Sequence, residues 1–294
     1  MQIPIVSNNI SRPASRMNAT QRHQKAGFTY IALIVLAMIF IAPFGWLIIT
    51  ALKTTSELSA FPVQFLPAVP QWHNFVQAFT QINYLAYTGN SLIVAITYSV
   101  LVALSSAFVG FGFARLRGKG KKQLFIIMLS TLMLPQIVTA IPTYIIFSHI
   151  NLIDTYWPWV FWGLSSSPFL VFLFRQFFSA IPIDLDEAAI LDGCSYFQIF
   201  WRIYLPLSLP VIATALVLSF TATWGDFFTQ QLFLNQDNAT LAVAIASGYL
   251  DPHGDPETTL QAAGSIFYIL PILIVFFFAQ KAFVRGIVTS GIKG

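Results

Sequence analysis

No charged residue interrupts the chain between Lys25 and Lys53, and charge is scarce throughout. Asp, Glu, Lys and Arg make up 9% of the 294 residues, where a soluble domain carries roughly a quarter. The apolar stretches also lack the polar face that a surface helix repeats at each turn. A soluble globular fold is thereby excluded. The single cysteine, Cys194, excludes an intrachain disulfide and a cysteine-based zinc cluster. His23, His73, His149 and His253 are scattered, and none lies at the centre of an apolar stretch. The clustered catalytic groups of a membrane-embedded enzyme are therefore missing. A phosphate-cradling G-x-x-x-x-G-K-[ST] loop is absent too, so any nucleotide hydrolysis belongs to another chain.

What is present is apolar: 56% hydrophobic residues, including 29 phenylalanines. A helix crosses the hydrocarbon core with about 20 apolar residues. Six segments qualify: 28–52, 86–114, 124–147, 156–177, 207–228 and 261–283. The sequence therefore predicts an all-α polytopic membrane protein with six transmembrane helices. Lys and Arg in short loops set its orientation. With the N-terminus inside, Arg12, Arg16, Arg22, Lys25, Arg115, Arg117, Lys119, Lys121, Lys122, Arg175, Arg202, Lys281, Arg285 and Lys293 are all cytoplasmic, leaving only Lys53 outside. Both termini are expected in the cytoplasm. The net charge of +4 is then a topology signal, with no case for nucleic-acid binding.

Three regions follow: a basic, flexible cytoplasmic tail at 1–27, a membrane domain at 28–284 and a cytoplasmic tail at 285–294. The first apolar stretch is too long for a signal-peptide core and no small-residue cleavage site follows it, so it is expected to be retained. Of the two longer outside segments, 52–79 has three prolines and an aromatic cluster, which suits a short folded cap. The other, 235–259, alternates Asp251, His253, Asp255 and Glu257 with Pro252, Gly254 and Pro256. That pattern reads as a solvated turn, with a metal site as the alternative.

The stretch Asp186–Pro210, DEAAILDGCSYFQIFWRIYLPLSLP, stands apart, because Asp184, Asp186, Glu187 and Asp192 crowd a cytoplasmic loop between two apolar spans. It reads as two short helices joined by a turn. Leu185, Ala188 and Ala189 make a small-residue stripe that another surface can approach. Gly193 suits the left-handed position after a helix end, and Ser195 suits the cap of the next helix. Phe197, Phe200, Trp201 and Tyr204 fall on one face at helical spacing. Pro206 and Pro210 mark the start of the fifth span. The expectation is a docking element with its aromatics turned to the protein's own spans and its small, acidic side offered to a partner.

Glu187, Ala188, Ala189, Gly193, Ile203, Leu205 and Pro206, with Asp192 beside Gly193, resemble the EAA loop of ABC importer permeases at every defining position. Cys194 stands where that family usually has alanine. The closing FVRGIVTSGIKG resembles the end of the smaller permease subunit of maltose-type systems, and LMLPQIVTAIPTYII, TATWGDFF and QWHNF are similar to the same carbohydrate branch. The resemblance implies a MetI-like permease fold in the cytoplasmic (inner) membrane of a bacterium. It implies a second homologous permease subunit, two copies of an ABC ATPase that bind ATP and Mg, and an extracytoplasmic substrate-binding protein. This chain itself would need no cofactor and would not be an enzyme. The implied cargo is a di- or oligosaccharide, with glycerol phosphate or another polar solute as the alternative. A secondary transporter would be expected to show inverted repeats and intramembrane charges, which the sequence does not clearly show.

Polar residues within apolar spans are candidates for a substrate pathway, because burying them in lipid is costly. Asn90, Gln136, Ser165, Ser166, Trp224 and Asp226 are such residues. Pro135, Pro142 and Pro168 nearby free backbone carbonyls that can line a cavity. The alternative for each is helix–helix hydrogen bonding or a kink for packing.

Overall fold

The computed structural model describes residues 19–278 and residue 280. The closing FVRGIVTSGIKG and the basic residues Arg12, Arg16, Lys281, Arg285 and Lys293 lie outside them. The helices are α1 (Ala19–Ala51), α2 (Thr55–Leu58), α3 (His73–Thr80), α4 (Tyr84–Arg115), α5 (Lys121–Ser130), α6 (Gln136–His149), α7 (Trp157–Leu164) and α8 (Pro168–Ala180). After them come α9 (Asp184–Leu191), α10 (Tyr196–Ile199), α11 (Leu205–Leu207), α12 (Leu209–Trp224), α13 (Phe228–Phe233), α14 (Leu241–Gly248) and α15 (Thr258–Tyr268). The first helix begins inside the stretch expected to be a tail.

Among the described residues, four helical stretches are long and apolar enough to span a membrane: Phe28–Ala51, Tyr84–Arg115, Trp157–Ala180 and Thr258–Phe278. Two further spans arise if each of two bent pairs counts as one, Lys121–Met133 with Gln136–His149 and Tyr196–Leu207 with Leu209–Trp224. The bends are 100° and 79°. Spans three and five are thus broken at these points. Proline explains where the breaks fall. Leu134 is pushed to an extended conformation before Pro135, and Ser208 (φ −91°, ψ 10°) leaves helical geometry between Pro206 and Pro210. The fourth span breaks at Ser165–Ser167. There Ser166 takes φ 63° and Ser167 is extended before Pro168. The fifth span also ends early, at Trp224, and Phe228–Phe233 forms a separate short helix.

The second span, α4, is the pillar, packed by α7, α8 and α12. Its buried face is built of small residues, among them Ala95, Ser99, Ala103, Ser106, Ala107 and Gly110. Close approach of helices is what such residues permit in a membrane protein. A β-carbon added at Gly110 would come within 2.7 Å of the Phe174 Cβ on α8, and one at Gly163 within 2.7 Å of the Leu101 Cβ on α4. By contrast, α1 rests on α15 and leaves most of its large apolar residues uncovered.

The segments 52–79 and 235–259 both contain short helices. A capping box closes α2: the Glu57 backbone N–H donates to the Thr54 hydroxyl oxygen, and Glu57 accepts from the Thr54 N–H. Lys53 is buried, donates to the Gln64 carbonyl oxygen and sits 5.5 Å from the Trp46 ring. The segment 235–259 contains α14, whose Leu241, Val243, Ala244 and Ile245 are buried. It therefore packs into the protein rather than lying wholly in solvent. Asp251 accepts from the backbone N–H groups of His253 and Asp255, each at 2.8 Å, so its carboxylate closes the turn.

Candidate functional site

The acid-rich loop folds as helix, turn and helix. Asp184, Asp186 and Glu187 occupy the first turn of α9, where negative charge meets the positive end of the helix dipole. The helix ends in a Schellman motif: Gly193 N–H bonds the Ile190 carbonyl at 3.0 Å and Cys194 N–H bonds the Ala189 carbonyl at 2.9 Å. That closure needs a left-handed residue, and Gly193 has φ 82°. Ser195 then caps α10, accepting from Gln198 N–H while its own N–H donates to the Gln198 side chain at 2.8 Å. From Phe200 to Tyr204 the helix widens into a π turn. Pro206 has no N–H for the carbonyl one helical turn earlier, and the extra residue accommodates that loss.

Only part of the expected aromatic face turns inward. Phe200 and Tyr204 are buried, with Phe200 5.4 Å and Tyr204 4.9 Å between ring centroids from Phe111 of α4. Phe197 and Trp201 remain substantially exposed. The small-residue stripe is also divided: Ala188 is exposed, but Ala189 is buried against the core beside Phe178 and Ile199. Ile203 and Leu205 pack half-buried on the same core, whereas Glu187, Asp192, Gly193 and Pro206 face outward. The outward face of α9 carries Leu191, 87% exposed, which the expected stripe did not include.

Asp186 differs most from its expected place. It is 6% exposed and points inward instead of joining an acidic surface. The Tyr204 hydroxyl donates to its Oδ1 at 2.5 Å, and the Arg115 Nε stands 3.6 Å from its Oδ2. Arg115 also donates through Nη2 to the Ile181 carbonyl, and its guanidinium lies 5.1 Å from the Tyr204 ring centroid. One charge cluster thus ties the start of α9 and the π turn to the last residue of α4. Arg115 read from sequence as a topology charge, because no local spacing relates residue 115 to residue 186.

A second region opens where the broken spans meet. A cavity of about 500 Å³ is lined by Gln136, Ser165, Ser166 and Asp226, with Tyr98, Trp159, Trp162, Thr139 and Thr229 added by the fold. Gln136 donates to the Thr229 hydroxyl oxygen at 3.1 Å, and Asp226 accepts the Thr229 N–H at 3.0 Å. Left-handed Ser166 stores strain of the kind found at binding sites. Asn90 and Trp224 lie outside this cavity. Asn90 donates to the Ala239 carbonyl at 2.9 Å. Trp224 is buried between Phe220 and Tyr268, with ring centroids 5.6 and 5.5 Å away. These contacts are of the packing kind weighed as the alternative for such residues.

Residues 100–289 match the family described as binding-protein-dependent transport system inner membrane component. The chain is 33% identical over 272 residues to the probable ABC transporter permease protein YurM of Bacillus subtilis, covering 91% of this chain and 87% of that one. It is 32% identical to the arabinooligosaccharides transport system permease protein AraQ of the same species, over 88% of this chain and 93% of AraQ. The maltodextrin transport system permease protein MdxG, also of B. subtilis, is 32% identical over 95% of this chain and all of its own. A solved structure of a bacterial ABC transporter involved in the import of the acidic polysaccharide alginate shares the fold, with TM-score 0.70 at 20% identity over 90% of this chain and 98% of that chain. An apolar chain with broken spans, a capped helix–turn–helix and these relatives belongs to the binding-protein-dependent inner membrane component family, the non-enzymatic membrane permeases of ABC importers.

Proposed function

We propose that this chain carries a di- or oligosaccharide across the cytoplasmic membrane of a bacterium, as one of two homologous permease subunits with both termini inside. Two copies of a separate ATPase bind ATP and Mg, and an extracytoplasmic protein delivers the cargo. The ATPase docks on the outward face of α9, through Glu187, Ala188, Leu191 and Asp192. The observation that carries this reading is the continuity of α4. Its cytoplasmic end holds α9 through Arg115 and Asp186, and its middle lines the cavity through Tyr98. A tilt of α9 driven by ATPase closure therefore reaches the cavity along one rigid helix.

The relatives named for arabinooligosaccharide and maltodextrin transport support a sugar cargo. So does the lining, in which aromatic faces stand beside hydroxyl and amide groups. Among the described residues its one charged side chain is Asp226, an acid with no cation in the lining, which disfavours glycerol phosphate. Purification with the associated subunits, followed by titration of neutral oligosaccharides against glycerol 3-phosphate in proteoliposomes, tests the reading. Uptake driven only by the phosphate ester would overturn the sugar assignment, and ATP hydrolysis by the lone chain would overturn the division of labour.

A further inference from the structure

A second cavity lies at the cytoplasmic end of α4, outside both regions above. It is an open groove of about 430 Å³ walled by Phe108 and Phe113 of α4 and by Phe197 of α10. Phe108 and Phe197 meet edge to face, 6.4 Å between ring centroids, yet are 51% and 60% exposed. Three cations, Arg117, Lys119 and Lys121, stand along its edge, and no acid lines it. The chain reverses at Gly120 (φ 78°), which returns Lys121 so that its Nζ donates to the Leu116 carbonyl at 2.6 Å. Arg115, by contrast, is engaged with Asp186 and takes no part in the groove.

The ligand that uses both parts of this groove is apolar along its length and anionic at one end. A free anion leaves the aromatic walls uncovered, and a neutral lipid leaves three cations unmatched. We propose that the groove binds one acidic phospholipid of the cytoplasmic leaflet, with an acyl chain against Phe108, Phe113 and Phe197 and the phosphate at Arg117, Lys119 and Lys121. The level is right: the positive-inside pattern puts the 116–120 connection at the cytoplasmic face, where anionic headgroups attract clustered Lys and Arg. The site is new relative to the sugar cavity and the ATPase-docking face. Because Phe197 follows the Gly193 turn directly, a seated lipid braces α10 against α4. This consequence alone rests on the proposed coupling role.

Native mass spectrometry of the purified transporter, titrated with palmitoyl-oleoyl phosphatidylglycerol or phosphatidylcholine, tests the proposal. Phosphatidylglycerol should bind about tenfold or more tightly than phosphatidylcholine. Combined R117Q, K119Q and K121Q should erase that preference. Gly112→Leu keeps every charge while filling the groove, since a β-carbon there meets only the Leu116 side chain at 3.9 Å, and should also abolish binding. Equal affinity for both lipids, or phosphatidylglycerol binding unchanged in either variant, would overturn the proposal. So would displacement of the lipid by millimolar inorganic phosphate, or cross-linking of Lys119→Cys to another subunit in a lipid-free transporter. Failure of sugar uptake in a transporter that still binds phosphatidylglycerol would count against the proposed function alone.

Discussion

The Tyr204 hydroxyl donates to the Asp186 carboxylate at 2.5 Å, joining residues on opposite sides of the Gly193 turn inside a buried pocket closed by Arg115. Breaking a buried pair by removing one member leaves the other charge unpaired, at a cost of about 3–5 kcal/mol. Asp186→Ala is expected to cost that much, seen as a clear fall in the thermal midpoint of the purified transporter. Tyr204→Phe removes one hydrogen bond to a charged group and should cost about 1.5–3 kcal/mol. Asp186→Ala with an unchanged midpoint would show that the cluster does not hold the loop.

Gly193 and Glu187 separate the shape of the loop from its charge. A β-carbon in the left-handed conformation costs about 1–2 kcal/mol, although open space surrounds Gly193 itself. Gly193→Asp should leave membrane insertion intact while abolishing ATPase assembly and uptake. Glu187→Lys, on the exposed face, should weaken docking without lowering thermal stability. Normal transport by Glu187→Lys with the ATPase stably bound would reduce the acids to a solvated connector.

The pillar helix gives a packing prediction. Leucine at Gly110 would push its side chain onto the Phe174 Cβ and the backbone of Val171 and Arg175 on α8. Overpacking of this kind costs about 1–3 kcal/mol. Lower yield of folded protein is expected, together with earlier aggregation on heating. The same substitution at Gly89, where a β-carbon meets nothing within 4 Å, serves as the control and should be tolerated.

For the cavity, Asp226→Asn keeps an acceptor for the Thr229 N–H but removes the only charge in the lining among the described residues. Uptake should fall about tenfold or more, the equivalent of one lost hydrogen bond to a charged acceptor. Assembly with the ATPase should be unchanged. Trp224→Phe, outside the cavity, should instead lower stability by losing the indole bond to the Tyr268 carbonyl at 3.1 Å. Equal uptake by wild type and Asp226→Asn would remove Asp226 from the pathway.

The folded segment around Glu57 should respond to acid. Backbone N–H groups of Thr54 and Ala68 donate to Glu57 and hold its pKa below the usual 4.5. A depressed carboxyl pKa stabilises the folded cap above the unfolded-state value, and that stabilisation is lost as pH falls through the folded value. Hydrogen exchange at the Ala68 amide should therefore show protection at neutral pH that Glu57→Gln weakens and that disappears in acid. Identical protection at neutral and strongly acid pH would show that Glu57 does not hold the cap.

What the sequence by itself determined is local or statistical. Apolar length decides which segments are able to cross a membrane, and the Lys and Arg asymmetry predicts which loops stay inside. The turn at Gly193 and the cap at Ser195 were legible because each depends on neighbours within a few residues. Proline positions marked the breaks, but not how sharply spans three and five would bend, since the angle is set by the helices packed around them. Asp186 and Ala189 looked like surface residues because their partners, Arg115 and the core around Phe178, are distant in sequence. Trp224 and Asp226 are two residues apart, yet one packs on Tyr268 while the other lines the cavity. Only the tertiary structure decided these, because burial and charge pairing depend on which helices α4 brings together, and no spacing along the chain encodes that meeting.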